Sequence, residues 1–307
     1  MKPIVDYAKV FETLVQKTQD YLQENGLKSM ILGISGGIDS TVVAAICHEV
    51  SRRTGIPLIG RSLPTKHNKE GETTTADLVG KAFCNDFEVY GLSDLWEEVE
   101  NSFMRYESKS STPISRGNIQ ARLRMIYLYN VASLYGGLVM DTDNLTENNL
   151  GYFTIHGDVG DFNPIGCLWK TEVFELAEWL FNKYKNSDYT QLLKAEAMWA
   201  SLQLKPTAGL GITDNDLDEI GADSYEQVDY ILQEIVAWKW VSLEYRKDKY
   251  DSIEEMQEAF LEEQAMLDMP IKVIVNVTKR HFASEFKRKK LPIKINREEI
   301  TQNKIVK

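Results

Sequence analysis

The chain has 307 residues, 43% of them hydrophobic and 26% charged, with a formal net charge of −11 and three cysteines. That length can bury a full core, so residues 1–307 are expected to form one large domain. The acidic balance argues against a nucleic-acid partner. No apolar run approaches the roughly 20 residues that cross a bilayer, and Asp6 and Glu12 interrupt the N-terminus where a secretory leader would be hydrophobic, so a cytoplasmic protein with no membrane partner is expected.

Within the first 28 residues, Tyr7 to Asn25 places Val10, Phe11, Leu14, Thr18, Tyr21 and Leu22 on one face of a helix, with Gly26 as its C-cap. Ser29 to Ile34 reads as a strand. It runs into Leu32 to Ser40, the string LGISGGIDS, and then into a helix from Ser40 to Ser51. Gly36 and Gly37 allow successive amides to converge on an anion at the mouth of that helix. Ser35 and Ser40 add hydroxyls, and Asp39 adds a carboxylate where a metal riding on phosphate needs one. No Lys-Ser/Thr pair follows the glycines, which sets this turn apart from the Walker pattern.

Ile56 to Leu63 is a second apolar run, stopped by Pro64; Glu70 to Phe83 is helical in pattern, Phe87 to Leu92 reads as a third strand, and Ser93 is placed to cap a helix towards Tyr106. Strands alternating with helices predict an α/β fold, a doubly wound parallel sheet flanked by helices, with ligands at the carboxyl ends of the strands. Gly117 to Tyr135 is a long helical pattern in which Arg122 and Arg124, two residues apart, point to different faces. Leu138 to Asp141 reads as the next strand, followed by Thr142, Asp143, Asn144 and Glu147. A loop of glycines and acids follows, with Gly157, Asp158 and Asp161. Lys170 then stands on an exposed loop at the entrance of an apolar-periodic helix, Val173 to Phe181, where it is expected to add little to folding.

Beyond Tyr184 the pattern thins, with Tyr225 to Trp240 amphipathic and Ile253 to Met266 acidic and helical. Residues 270–307 carry eleven Lys or Arg against three Glu, a segment of +8 on a body of −19. Either an anion-binding arm or a solvated end fits that distribution. Cys47, Cys84 and Cys167 have no metal spacing and read as small core residues.

The string Ser-Gly-Gly-x-Asp-Ser resembles the pyrophosphate loop of the N-type ATP pyrophosphatases, also called adenine nucleotide alpha hydrolase-like. GNIQARLRM, TDNLTE, GYFT followed by GD, Asn-Pro-Ile before Leu-x-Lys-Thr, and KPTAGL occur here in the order found in the NAD synthetases. That family couples ATP to amidation of deamido-NAD. The resemblance covers about Met30 to Tyr230, with an echo in SEFKRKKLP.

The resemblance implies that Gly33, Ile34, Ser35, Gly36, Gly37, Ile38, Asp39 and Ser40 hold ATP phosphates, with Thr142, Lys170 and Thr207 as further ATP contacts. It implies Asp39 and Glu147 as Mg²⁺ ligands, with Asp39 and Lys170 in the catalytic centre. Arg122, Asp161 and Lys287 match positions that contact deamido-NAD, and the family further implies a homodimer. Only about 28 residues precede the first strand and none is a cysteine, so ammonia rather than glutamine is the expected nitrogen donor, with a separate glutaminase possible. Departures from the family pattern are Asp141 in place of glycine, a GDVGD loop one residue short, Ile155 in place of lysine, and Phe286 in place of histidine. Two other readings stay open: another N-type pyrophosphatase, such as one that thiolates tRNA, and a nucleotide-binding regulator that has lost catalysis.

Overall fold

Four parallel strands carry the fold. β1 (Met30–Gly33) lies between β2 (Leu58–Ser62) and β4 (Leu138–Val139), and β3 (Asp86–Val89) pairs with the far side of β2, giving the order β3-β2-β1-β4. The structure is a computed structural model and describes residues 4, 6–106, 109–205, 215–245, 253–264 and 269–289.

Strand alternation distributes the core over both faces of the sheet. Met30, Leu32, Leu58, Leu138 and Met140 join one hydrophobic cluster with α1 (Tyr7–Glu24), α2 (Ile38–Thr54) and α3 (Glu70–Phe83). Ile31, Ile59 and Val139 face the opposite cluster, built with α4 (Ser93–Met104) and α5 (Pro113–Tyr135). α6 (Leu145–Leu150) follows β4 directly, and α7 (Lys170–Lys185) and α8 (Leu192–Gln203) return to the α2 face. A third cluster joins α6 to α9 (Asp216–Ile220), α10 (Tyr225–Tyr245), α11 (Ile253–Gln264) and α12 (Ile271–Ala283).

The expected strands and major helices are present, and their differences in detail have local causes. α1 buries Phe11, Val15, Thr18 and Leu22, a stripe rotated slightly from the one read in sequence. α5 starts at Pro113, earlier than Gly117, because the Thr112 hydroxyl accepts the Ser115 amide and proline suits the first helical position. Ser93 is itself the first residue of α4; Leu92 holds the cap position, where no side-chain bond is made. α8 escapes the apolar pattern because, beside Met198, it buries Ala195, Ala197 and Ser201, small residues that let it lie close to its neighbours. The segment from residue 270 is packed rather than solvated in its first part: Val273, Ile274, Val277 and Phe282 of α12 are core.

β1 neighbours β2 on one side and β4 on the other, so the connections leaving β1 and β4 diverge and open a crevice at their carboxyl ends. Gly36 fixes the turn on one wall of it. Its φ is +85°, and a Cβ there would lie 2.4 Å from the Glu72 carbonyl and 2.8 Å from the Ala76 amide, both on α3. Gly36→Ala is therefore expected to cost about 1–3 kcal/mol from backbone strain alone, read as a fall in thermal midpoint; an unchanged midpoint would show that the turn yields freely.

Candidate active site

The residues following β1 and β4 meet around one ammonium group. Lys170 opens α7, and its Nζ lies 2.6 Å from Asp39 Oδ2 and 3.0 Å from Glu147 Oε1. Each partner is fixed by local chain geometry. Asp39 sits in the first turn of α2, whose N-cap is Gly37. Asn144 caps α6: its side chain accepts the Glu147 amide at 3.0 Å, and Glu147 Oε2 accepts the Asn144 amide at 3.1 Å. This Asn-x-x-Glu capping box leaves Glu147 Oε1 for Lys170, while Asn144 Nδ2 donates to Asp39 Oδ1 at 2.8 Å. Thr146 Oγ1 accepts the Lys170 amide at 2.8 Å, and Asp229 accepts the Thr171 amide at 2.9 Å, which fastens the start of α7 to α6 and α10.

Lys170 is 1% exposed, so it is a buried ion rather than an exposed loop lysine. Burial alone would lower its pKa, but Asp39 and Glu147 reverse that and hold the ammonium well above its ordinary value. Glu147 is pushed up to about 7 by burial and by Asp39, against the pull of Lys170. Asp143 lies close by and is raised well above the usual carboxylate range, first by burial and then by Asp141, Glu147, Asp158 and Asp39.

These groups line a cavity of about 470 Å³. It is lined by the glycine turn, Arg61, Asn68 and Arg124, and also by Tyr152, Phe153, Asp158, Arg280 and Lys287. A polyphosphate entering beside Asp39 and Glu147 meets like charge, which Lys170 offsets in part and a further cation would offset more fully. Two carboxylates suit Mg²⁺, which keeps waters and phosphate oxygens as its other ligands. Among the described residues no larger group of metal-ligating side chains occurs.

Asp158 is buried in the cavity wall, and burial pushes its carboxyl up to about 6 although the Thr154 amide donates to it at 2.6 Å. The unfolded chain holds that proton less tightly, with a pKa of about 4. Stability is therefore lost as pH rises from about 4 through about 6. Asp158→Asn keeps an acceptor for Thr154 and is expected to abolish this loss of about 3 kcal/mol. Denaturant melts of both proteins at pH 4 and pH 8 measure the difference; equal pH dependence would mean that Asp158 ionises in the fold without cost.

Of the residues singled out from sequence, Gly33, Ile34, Ser35, Gly37, Ile38, Asp39, Ser40, Thr142, Glu147, Lys170 and Lys287 border this cavity. Gly36 turns instead towards α3. Arg122 is exposed on α5 and donates to the Ile155 carbonyl at 3.2 Å. Asp161 accepts from the Tyr129 hydroxyl at 2.9 Å and the Val139 amide at 3.0 Å, so neither residue borders the cavity. Thr207 and the rest of the KPTAGL string after Lys205 lie outside the described residues.

Comparison with known proteins places this geometry. The sequence profile described as NAD synthase matches residues 10–291. The chain belongs to the NAD synthase family. It is 34% identical over 217 residues to the NH(3)-dependent NAD(+) synthetase of Methanococcoides burtonii, covering 70% of this chain and 75% of that one. The Thermococcus kodakarensis protein of the same name is 33% identical over 246 residues, 80% of this chain and 85% of its own. The solved NMN synthetase of Francisella tularensis superposes with a TM-score of 0.70 at 24% identity over 95% of this chain and 100% of its own, a likeness of fold. The parallel sheet and its flanking helices are thus a fold shared with that structure.

Within the NAD synthase family framework, this chain's departures leave the ion cluster clear. Asp141 is 6% exposed and its carboxylate turns back to accept the Asp143 amide at 3.0 Å, bracing the loop after β4 without bordering the cavity. Phe286 is exposed, and Lys287 beside it donates to the Gly151 and Phe153 carbonyls at 2.7 and 2.6 Å. Cys47 is buried as expected, Cys84 is half-buried, and Cys167 is exposed rather than a core residue. Sequence reasoning left the role of Asn144 unassigned, although the capping box Asn144-x-x-Glu147 was there to be read. It also gave no role to Tyr152, whose hydroxyl lies 3.0 Å from Asp216 and 2.6 Å from Glu219 across the cavity wall.

Proposed function

We propose that this chain amidates deamido-NAD to NAD, using ATP and ammonia and releasing AMP and pyrophosphate. The observation that carries this reading is the Asp39–Lys170–Glu147 cluster, held at the switch point of the sheet beside a glycine turn, in a chain of the NAD synthase family. The nicotinate carboxylate attacks the α-phosphorus of ATP, forming an acyl-adenylate as the bond to pyrophosphate breaks. Ammonia then attacks the acyl carbon, AMP leaves, and the nitrogen sheds its proton. No protein nucleophile is needed, and the chain's part is to position the reactants and offset charge.

The amides and hydroxyls of residues 33–40 and Thr142 take the ATP phosphates. Lys170 exchanges its carboxylate partners for phosphate oxygens and stabilises charge on the departing pyrophosphate. Mg²⁺ held by Asp39 and Glu147 would neutralise the polyphosphate and make the α-phosphorus approachable by an anion. Arg122, Asp161 and Lys287 remain proposed contacts for deamido-NAD and Thr207 for ATP, and we take the enzyme to be a cytoplasmic homodimer. Among the described residues no helix is long and apolar enough to cross a membrane.

Ammonia rather than glutamine is the expected donor because glutamine hydrolysis needs a nucleophile such as a thiolate. Burial raises Cys47 well above the ordinary thiol range, Cys84 to about 12, and Cys167 above its usual value. The purified chain, given ATP, Mg²⁺, deamido-NAD and ammonium, should yield NAD, AMP and pyrophosphate in equal amounts. With glutamine in place of ammonium, turnover should be negligible. Nicotinate mononucleotide, offered in parallel because the fold neighbour is an NMN synthetase, should be the poorer substrate; no amidated product from either acceptor would end the proposal.

A further inference from the structure

α5 carries four polar residues at alternate positions, and they divide between two loops. An α-helix turns about 100° per residue, so residues four apart share a side and residues two apart do not. Asn118 and Arg122 face the loop beyond α6: Asn118 Oδ1 accepts the Thr154 hydroxyl at 2.8 Å, and Arg122 donates to the Ile155 carbonyl at 3.2 Å. Gln120 and Arg124 face the loop between β2 and α3: Gln120 Oε1 accepts the Thr65 hydroxyl at 3.0 Å, and Arg124 donates through Nε to the Leu63 carbonyl and through Nη2 to Asn68 Oδ1, both at 3.2 Å. Both loops line the cavity, the first through Thr154 and the second through Leu63, Pro64 and Asn68.

The contacts of Arg124 continue towards the glycine turn. Asn68 Oδ1 also accepts the Thr65 amide at 2.9 Å, and Asn68 Nδ2 donates to Glu72 at 2.9 Å. Glu72 belongs to the first turn of α3, the same turn whose carbonyl lies against Gly36. A guanidinium suits this post, since its fork reaches two acceptors at once and stays charged when burial pulls its pKa down.

We propose that Arg124 is a positioning residue for the ATP end of the cavity, holding residues 63–72 against the glycine turn, whereas Asn118 on the other side of α5 positions the loop at the deamido-NAD end. This rests on the assignment of the glycine turn to ATP. A preformed loop contributes to ground-state and transition-state binding alike, so its loss raises KM and leaves kcat in place.

The experiment is steady-state kinetics on Arg124→Ala, Arg124→Lys, Asn68→Ala and Asn118→Ala, each with a thermal melt. Arg124→Ala and Asn68→Ala are expected to raise KM for ATP about tenfold, with kcat and KM for deamido-NAD within about twofold of wild type. Arg124→Lys, which can keep one of the two bonds, should recover part of the loss. Asn118→Ala should raise KM for deamido-NAD and spare ATP. Should Arg124→Ala fail to fold, Asn68→Ala carries the same readout, because it removes the acceptor and leaves the cation. Equal rises in both KM values, or an unchanged KM for ATP in both folded variants, would overturn the inference. Ser40→Ala in the glycine turn separates the two levels. If it weakens ATP and the Arg124 and Asn68 variants do not, only the present inference fails; if it leaves ATP binding intact, the assignment of the turn and the role of Arg124 fall together.

Discussion

Asp39→Asn and Glu147→Gln are each expected to lower turnover about a hundredfold to a thousandfold while leaving the fold in place. Both changes keep shape and remove one negative charge. Asparagine can still accept from Asn144, and glutamine can still serve in the capping box that starts α6, so the local backbone has no reason to move. What each variant loses is one of the two carboxylates that would share a cation with the polyphosphate. The deficit should therefore depend on Mg²⁺, with the activity curve displaced to higher concentration, and the product ratio should stay the same. Circular dichroism and a melt establish folding first. A folded variant that keeps near-normal activity across the Mg²⁺ series would remove that residue from the proposed metal pair.

The parts of this site that could be read from sequence are those in which one local rule fixes geometry. The glycine turn is legible because Gly36 must adopt positive φ and lie on α3, and such a need leaves a mark on the string itself. The strand and helix alternation is legible for the same reason, since apolar residues repeat at the strand or helix period. The ion cluster is less so. Asp39, Glu147 and Lys170 are far apart in the chain and meet only because β1 and β4 are neighbours in the sheet. Only the resemblance to a family joined them beforehand.

The division of labour on α5 also needed the fold. Spacing tells that Arg122 and Arg124 diverge, but which of them looks into the cavity depends on how the helix lies on the sheet, and it is Arg124. The burial of Lys170 was beyond reach for a related reason. A lysine before an apolar helix usually points to water, and here two carboxylates from other elements close over it.

Lys170→Ala is accordingly expected to impair both chemistry and folding. Removing the ammonium leaves Asp39 and Glu147 facing each other in a buried site, and breaking a buried ion cluster by deleting one partner typically costs about 3–5 kcal/mol. Part of that cost is avoidable, because burial and Asp39 push the Glu147 carboxyl up to about 7 even against the pull of Lys170, and with the ammonium gone it can take up a proton at lower pH. The variant should thus melt well below wild type at pH 8, with a smaller gap at pH 6. Mg²⁺ added without nucleotide offers the two carboxylates a replacement cation, so it should raise the melting temperature of the variant more than that of wild type, where Lys170 occupies the position. Activity should not return with stability. In the proposed mechanism the ammonium must move from the carboxylates to the phosphates as pyrophosphate departs, and a metal ion confined between Asp39 and Glu147 leaves that charge unmet. The decisive measurement is pyrophosphate release from ATP with deamido-NAD present, made at a Mg²⁺ concentration where the variant is fully folded. Release at the wild-type rate would exclude Lys170 from the adenylation step, and a melt insensitive to both pH and Mg²⁺ would mean that the cluster seen here does not govern the stability of the unliganded chain.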